Sequence, residues 1–135
     1  VHYLIDKYGA GKLRPTIDHP LYPTYLEWSW FAEATFTSSS SEIIRHKRAF
    51  PEDANIEVIT EFKRRATFCL EAVMRFLGEK KWLLGEDFSG ADIMMGIALT
   101  TYMRHVAEPF PPVMQSYFDR LSARPAFIRT KQAES

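Results

Sequence analysis

Apolar positions recur at helical spacing along most of the chain, and no segment shows the strict alternation of a half-buried strand. The strongest pattern runs from Ile56 to Leu77. There Ile59, Phe62, Ala66, Cys69, Leu70, Val73, Phe76 and Leu77 trace a stripe at steps of three and four, and Gly78 stands where a C-terminal cap belongs. This predicts an amphipathic helix, with Glu61–Arg65 and Glu71–Arg75 as i to i+4 pairs on its exposed side. Another helix is predicted from about Pro20 to at least Phe36, since Pro20 and Pro23 fit in or before a first turn. Tyr25, Trp28, Ala32 and Phe36 then share one face, while Trp30 and Phe31 point elsewhere. Ser38 to Ser41 interrupt the apolar pattern. Their hydroxyls compete with helical bonding, so a kink, a loop or a solvated helical face is expected.

The segment EDFSGADIMMGIAL places Ser89 and Asp92 at the mouth of a long apolar run. With Ser89 as N-cap, Asp92 falls at the third helical position. The serine hydroxyl can then accept from the Asp92 amide while the carboxylate reaches back to the Ser89 amide. Phe88 and Ile93 stand at the spacing of a hydrophobic staple across that cap. The helix that follows is apolar almost all round, which predicts the buried central helix of a bundle. A helix start buried there cannot turn to water for its free amides. No base accompanies Ser89, so the pair reads as a folding device and not as a nucleophile.

Composition narrows the function classes. A chain of 135 residues, 46% of them apolar, has the size of one domain with a core of its own. Seventeen basic residues balance seventeen acidic ones, and the short cluster Arg45–His46–Lys47–Arg48 lacks an aromatic platform, so no nucleic-acid partner is expected. The longest apolar run, Ile93 to Leu99, is far below the ~20 residues a membrane span requires, so no membrane association is expected. Cys69 is the sole cysteine and lies in an apolar stripe, which favours a core thiol over a nucleophile and a reducing, cytoplasmic setting. The four histidines are scattered without ligand spacing, so no metal site is expected.

The opening VHYLIDKYGAGKLRP has Leu4, Ile5 and Tyr8 at helical spacing before Gly9, then the breakers Gly11 and Pro15. It reads as the tail of a helix followed by an interdomain connector.

KWLLGEDFSGADIMMGIAL resembles the signature of the glutathione transferase C-terminal domain, an apolar-Gly-x-x-aromatic segment leading into Ser/Thr-x-Ala-Asp and a buried helix. YFDRLSARPAFIRT is similar to the helix, Arg-Pro break and last helix that close that domain, and YLEWSWFAEATF to its long first helix. The resemblance implies an all-α helical bundle over residues 16–135. Residues 1–15 would be the end of a thioredoxin-like domain's last helix plus the linker. It further implies that glutathione, the co-substrate, and the residue activating its thiol belong mainly to the thioredoxin-like domain, so that no catalytic residue and no cofactor is expected in this chain. The helical domain would supply one wall of the electrophile site, placed by approximate helix position at Trp30, Ala34, Thr37 and Ser38, and surfaces for a homodimer. The serine run departs from the more apolar sequence usual there. Two readings follow: the electrophile-binding half of a transferase-like protein, inactive alone, or a free-standing helical protein-interaction module of the same fold.

Overall fold

The computed structural model describes residues 1–134. The described residues form helices joined by loops and no strand, apart from an isolated bridge between Trp82 and Gly85 that closes a tight turn. Helix α1 (His2–Tyr8) ends at Gly9, and a connector leads to α2 (Tyr22–Trp30). Helix α2 continues into a π-helical segment (Phe31–Thr37) and then α3 (Ser38–Ala49), with helical dihedrals at both junctions. Helices α4 (Ile56–Leu77), α5 (Gly90–His105), α6 (Pro112–Ser122) and α7 (Pro125–Glu134) follow.

The all-α expectation holds, but the helix expected to reach at least Phe36 runs on through the serines to Ala49. Within the run Ser39 donates to the Thr35 carbonyl at 2.7 Å, as Ser29 earlier in the joined helix does to that of Tyr25, so the hydroxyl bonds back one turn instead of opening the helix. The π segment has a legible cause as well. Trp28, Ala32, Phe36 and Ser40 are all buried and follow one another every four residues. In an α-helix each such step overshoots a full turn by about 40°. The wider π turn takes up that drift and keeps the row facing the core.

Helix α4 follows its stripe: Ile59, Ala66, Cys69, Leu70, Val73 and Leu77 are buried. Its start is capped by Asn55, whose Oδ1 accepts from the amides of Glu57 (2.9 Å) and Val58 (3.1 Å). The Asn55 amide in turn donates to His46 Nε2 at 3.0 Å, tying the end of α3 to the start of α4. On the outer face Glu61 pairs with both Arg64 and Arg65. The expected Glu71–Arg75 pair is not formed among the described residues, and nothing in the structure explains why.

Helix α5 packs against α2, the π segment and α3 on one side and against α6 on the other. Met95, Ala98, Leu99 and Tyr102 are buried in the core, as an all-apolar central helix predicts. Burial is not complete, however: Ile97 and Met103 are exposed. The start of α5 is also the anchor for the N-terminal segment. A Cβ on Gly90 would lie 2.5 Å from Ile5 Cδ1 and 2.9 Å from Tyr25 Oη, and the Gly90 amide donates to the Leu13 carbonyl at 2.7 Å. Only glycine allows α1, α2 and α5 to meet that closely.

Two groups give stability a pH dependence. Hydrogen bonds from Arg64 and Arg65 lower Glu61 from 4.5 to about 2. His105 is lowered from its ordinary 6.5 by burial first, then by Arg104, Arg48 and Lys47. In both cases the unfolded chain takes up the proton first, so stability decreases with falling pH. The His105 loss begins near its unfolded value of 6.5, whereas Glu61 contributes above 4.5 and is lost as pH falls through about 2. Denaturant midpoints are expected to drop between pH 7 and pH 5 in the wild-type chain and less steeply in His105→Gln. A wild-type midpoint that rises over that interval contradicts this assignment.

Candidate functional site

Three arrangements bear on function: the Ser89–Asp92 cap, the predicted electrophile wall, and a cavity that sequence reasoning did not find.

Ser89 and Asp92 form the capping box at the start of α5. Asp92 is fully buried, and its carboxylate does more than the box requires. Oδ2 accepts from the Ser89 amide at 2.9 Å and from the Ser89 hydroxyl at 3.0 Å. Oδ1 accepts from the Leu83 amide at 2.9 Å and from the Tyr117 hydroxyl at 2.7 Å. Burial, and then Asp92 beside it, hold the Tyr117 phenol well above its ordinary value, so it stays a donor. With both oxygens committed to structural donors, Asp92 has no capacity left for proton transfer to a substrate. The staple residues Phe88 and Ile93 are half-buried and face a common cavity, where Phe88 also packs edge-on against Trp82 at 5.0 Å.

The predicted wall residues lie along the joined helix. Trp30 ends α2, Ala34 and Thr37 sit in the π segment, and Ser38 begins α3. Trp30 is 63% exposed, and His2 stacks on it with centroids 5.9 Å apart at 18°. Ala34 is exposed, while Thr37 and Ser38 are half-buried. Thr37 Oγ1 is shielded from solvent and lacks a hydrogen-bond partner among the described residues. The spacing of these four would align them on one side of an α-helix, but the π turn between them rotates Thr37 and Ser38 relative to Trp30.

The cavity lies on the opposite side of α5. Its volume is about 520 Å³, and it is bounded by Leu13 of the connector, Phe88, the Ile93–Gly96–Ile97–Thr100–Arg104 face of α5, Leu121 of α6, and α7 around Phe127. It contains none of Trp30, Ala34, Thr37 and Ser38. Its walls come from segments far apart in sequence, which is why pattern reading missed it. The one available signal was the apolarity of α5 on the face not needed for the core.

Cys69 is buried, and that burial raises its thiol above the ordinary value, as expected of a core cysteine. No group of His, Cys, Asp or Glu side chains that could hold a metal ion exists among the described residues. No helix in the described chain is long and apolar enough to cross a membrane.

No family model matches the sequence, and no curated protein matches it. Solved structures match it over nearly its whole length. The glutathione transferase URE2P6 from Phanerochaete chrysosporium, in complex with oxidized glutathione, superposes with a TM-score of 0.85 at 16% identity, over 98% of this chain and 62% of that one. BphK, a bacterial glutathione transferase solved as a ternary complex, gives 0.82 at 22% identity, over 98% and 64%. A glutathione transferase from Burkholderia graminis, with two glutathione molecules bound per subunit, gives 0.81 at 24% identity, over 94% and 55%. The chain thus spans about three fifths of the length of the solved structures it matches. Its fold is that of the all-helical C-terminal domain of glutathione transferases.

The Asp92 network makes a stability prediction. Asp92→Ala strands the Leu83, Ser89 and Tyr117 donors in a buried site and is expected to cost about 3–5 kcal/mol. Tyr117→Phe removes one bond with its donor and should cost about 1–2 kcal/mol. Urea denaturation of both variants checks this; wild-type midpoints in both contradict the network.

Proposed function

We propose that this chain is the electrophile-binding half of a glutathione transferase-like protein. In this reading residues 1–15 complete a thioredoxin-like domain and its linker, and residues 16–135 form the helical domain. The observation that carries it is the superposition of 98% of the chain on a glutathione transferase in complex with oxidized glutathione and on a protein cocrystallized with 1-(S-glutathionyl)-2,4-dinitrobenzene. Glutathione is then the co-substrate of the complete protein, its thiol activated by the thioredoxin-like domain and attacking a hydrophobic electrophile held against the helical one.

The wall in this reading is Trp30, Ala34, Thr37 and Ser38. The exposed indole of Trp30 offers a flat apolar surface for an aromatic electrophile. The Thr37 hydroxyl is shielded and unpartnered among the described residues, so it serves as a donor in this reading only where a bound electrophile reaches it. In this reading the group that lowers the thiol pKa of glutathione, next to a fixed tripeptide site, belongs to the thioredoxin-like domain, so the chain alone is expected not to conjugate.

The experiment pairs calorimetry with a conjugation assay, using 1-chloro-2,4-dinitrobenzene and glutathione. The chain alone is expected to bind the electrophile weakly, to lose roughly tenfold in affinity on Trp30→Ala, and to show neither saturable glutathione binding nor turnover above background. Micromolar glutathione binding, or turnover, would mean that the site is misplaced.

The same reading includes a homodimer formed through the long helices. Ile56 and Phe68 are exposed on α4, with Arg64 over the Phe68 ring at 4.8 Å, and apolar side chains of this kind favour burial against a second subunit. Light scattering is expected to report a dimer, and a monomer over a wide concentration range would contradict it.

A further inference from the structure

We infer that the corner between α3 and α4 is a proton-sensitive latch: neutral His46 holds the 51–55 loop and the start of α4 to the end of α3, and its protonation releases them. The inference draws on no residue of the electrophile wall or of the cleft beside α5.

The latch is one hydrogen bond whose direction fixes the charge of the imidazole. The Asn55 amide donates to His46 Nε2 at 3.0 Å. A ring nitrogen accepts only while it carries no proton, so in this arrangement the imidazole is neutral with its hydrogen on Nδ1. The rings of Phe50, with centroids 5.0 Å apart, and Phe62, at 6.5 Å, hold the imidazole in that orientation. A second proton turns Nε2 into a donor aimed at another donor, and the bond gives way to a repulsive contact. Histidine suits such a change, since imidazoles ordinarily titrate between about pH 5 and 8.

What the bond holds is otherwise lightly fastened. No other hydrogen bond joins residues 51–55 to α3 among the described residues. Glu52, Asp53 and Asn55 are exposed, and within the loop it is Ala54 that packs against the core. Asn55 is also the N-cap of α4, accepting from the amides of Glu57 and Val58, so its departure uncaps the first turn. That turn begins with Ile56 and Glu57, both exposed, and reaches the buried core first at Ile59. Opening therefore uncovers little apolar surface and can occur while the rest of the bundle stays folded.

The charged groups around His46 leave the Asn55 amide as its partner. On α3, Arg45 is paired with Glu42, and Lys47 and Arg48 follow. The loop carries Glu52 and Asp53, and on α4 Glu57 and Lys63 flank the Asn55 and Phe62 positions. At the end of α5 stand Arg104 and His105, the latter acted on by Lys47 and Arg48 as well. None of them hydrogen-bonds or ion-pairs with His46 among the described residues. His105 is thus the second histidine at this end of the bundle, and a control variant separates the two.

The test is imidazole and amide NMR of the chain as pH is lowered from 7.5 to the point at which it unfolds. At pH 7.5 the His46 ring is expected as the Nδ1–H tautomer, with the Asn55 amide protected from exchange. As His46 takes up its second proton, Asn55 protection, corrected for the intrinsic rate, should fall roughly five- to tenfold in step with it, while amides near Leu99 stay protected. His46→Gln places a neutral acceptor where Nε2 lies and should keep Asn55 protected across the range. His46→Phe keeps a ring without an acceptor and should leave Asn55 unprotected at every pH. His105→Gln should not alter the Asn55 response, and a response that disappears with His105 would overturn the inference. So would a His46 that stays neutral until the chain unfolds, Asn55 protection that holds while His46 titrates or persists in His46→Phe, or a loss shared equally with Leu99. The wild-type titration decides between these outcomes even if a variant does not fold.

Discussion

A carboxylate taken wholly out of water must be given hydrogen bonds in return, and in this fold Asp92 receives four. Its donors come from three places in the chain: Leu83 in the turn after α4, Ser89 at the N-cap of α5, and Tyr117 in the middle of α6. Such a group is stable only while all the donors stay in position, because one that leaves strands both partners in a low-dielectric site. The turn, the central helix and α6 are thereby held in one arrangement. Burial on the core side completes it, with Tyr117 fully enclosed and Trp82 packed against its ring at 6.1 Å.

The two faces of α5 follow from that anchoring. One face, through Met95, Ala98, Leu99 and Tyr102, forms the core with α2, the π segment and α3. The other, through Ile93, Gly96, Ile97 and Thr100, forms a cleft with α7. The helix is therefore apolar on two faces, one packed in the core and the other lining the cleft. The proposed electrophile wall belongs to the joined α2–α3 helix instead, and none of its residues lines the cleft. Gly90 joins the start of α5 to the N-terminal segment and α2, since Ile5, Tyr25 and the Leu13 carbonyl all converge on it.

What was legible in the sequence was local. The α4 stripe, the Gly78 cap, the helix before Gly9 and the Ser89–Asp92 pair each depend on residues within a few positions, and each was read from its spacing alone. The Leu83 and Tyr117 bonds to Asp92 span 9 and 25 residues, and no local spacing reveals them. For Ser38–Ser41 propensity left a kink, a loop or a helical face open, and the structure takes the helical course, with Ser39 bonded to the Thr35 carbonyl within the helix. The π segment was present as the every-fourth-residue burial of Trp28, Ala32, Phe36 and Ser40, which looks like ordinary amphipathicity until the 40° drift is counted. The resemblance fixed the fold but located the wall only by helix position, and that is the part a π turn disturbs most.

The central claim is that Asp92 ties the Leu83 turn to α5 as one cooperative unit. Native-state hydrogen exchange tests it directly, because an amide opens either with the local segment or with the whole fold. The amides of Leu83 and Ser89, though one is in a turn and the other at a helix cap, should exchange with the same free energy as the core amides of α5 near Leu99. Exchange of the Leu83 amide through a low-energy local opening, while α5 stays fully protected, would contradict it.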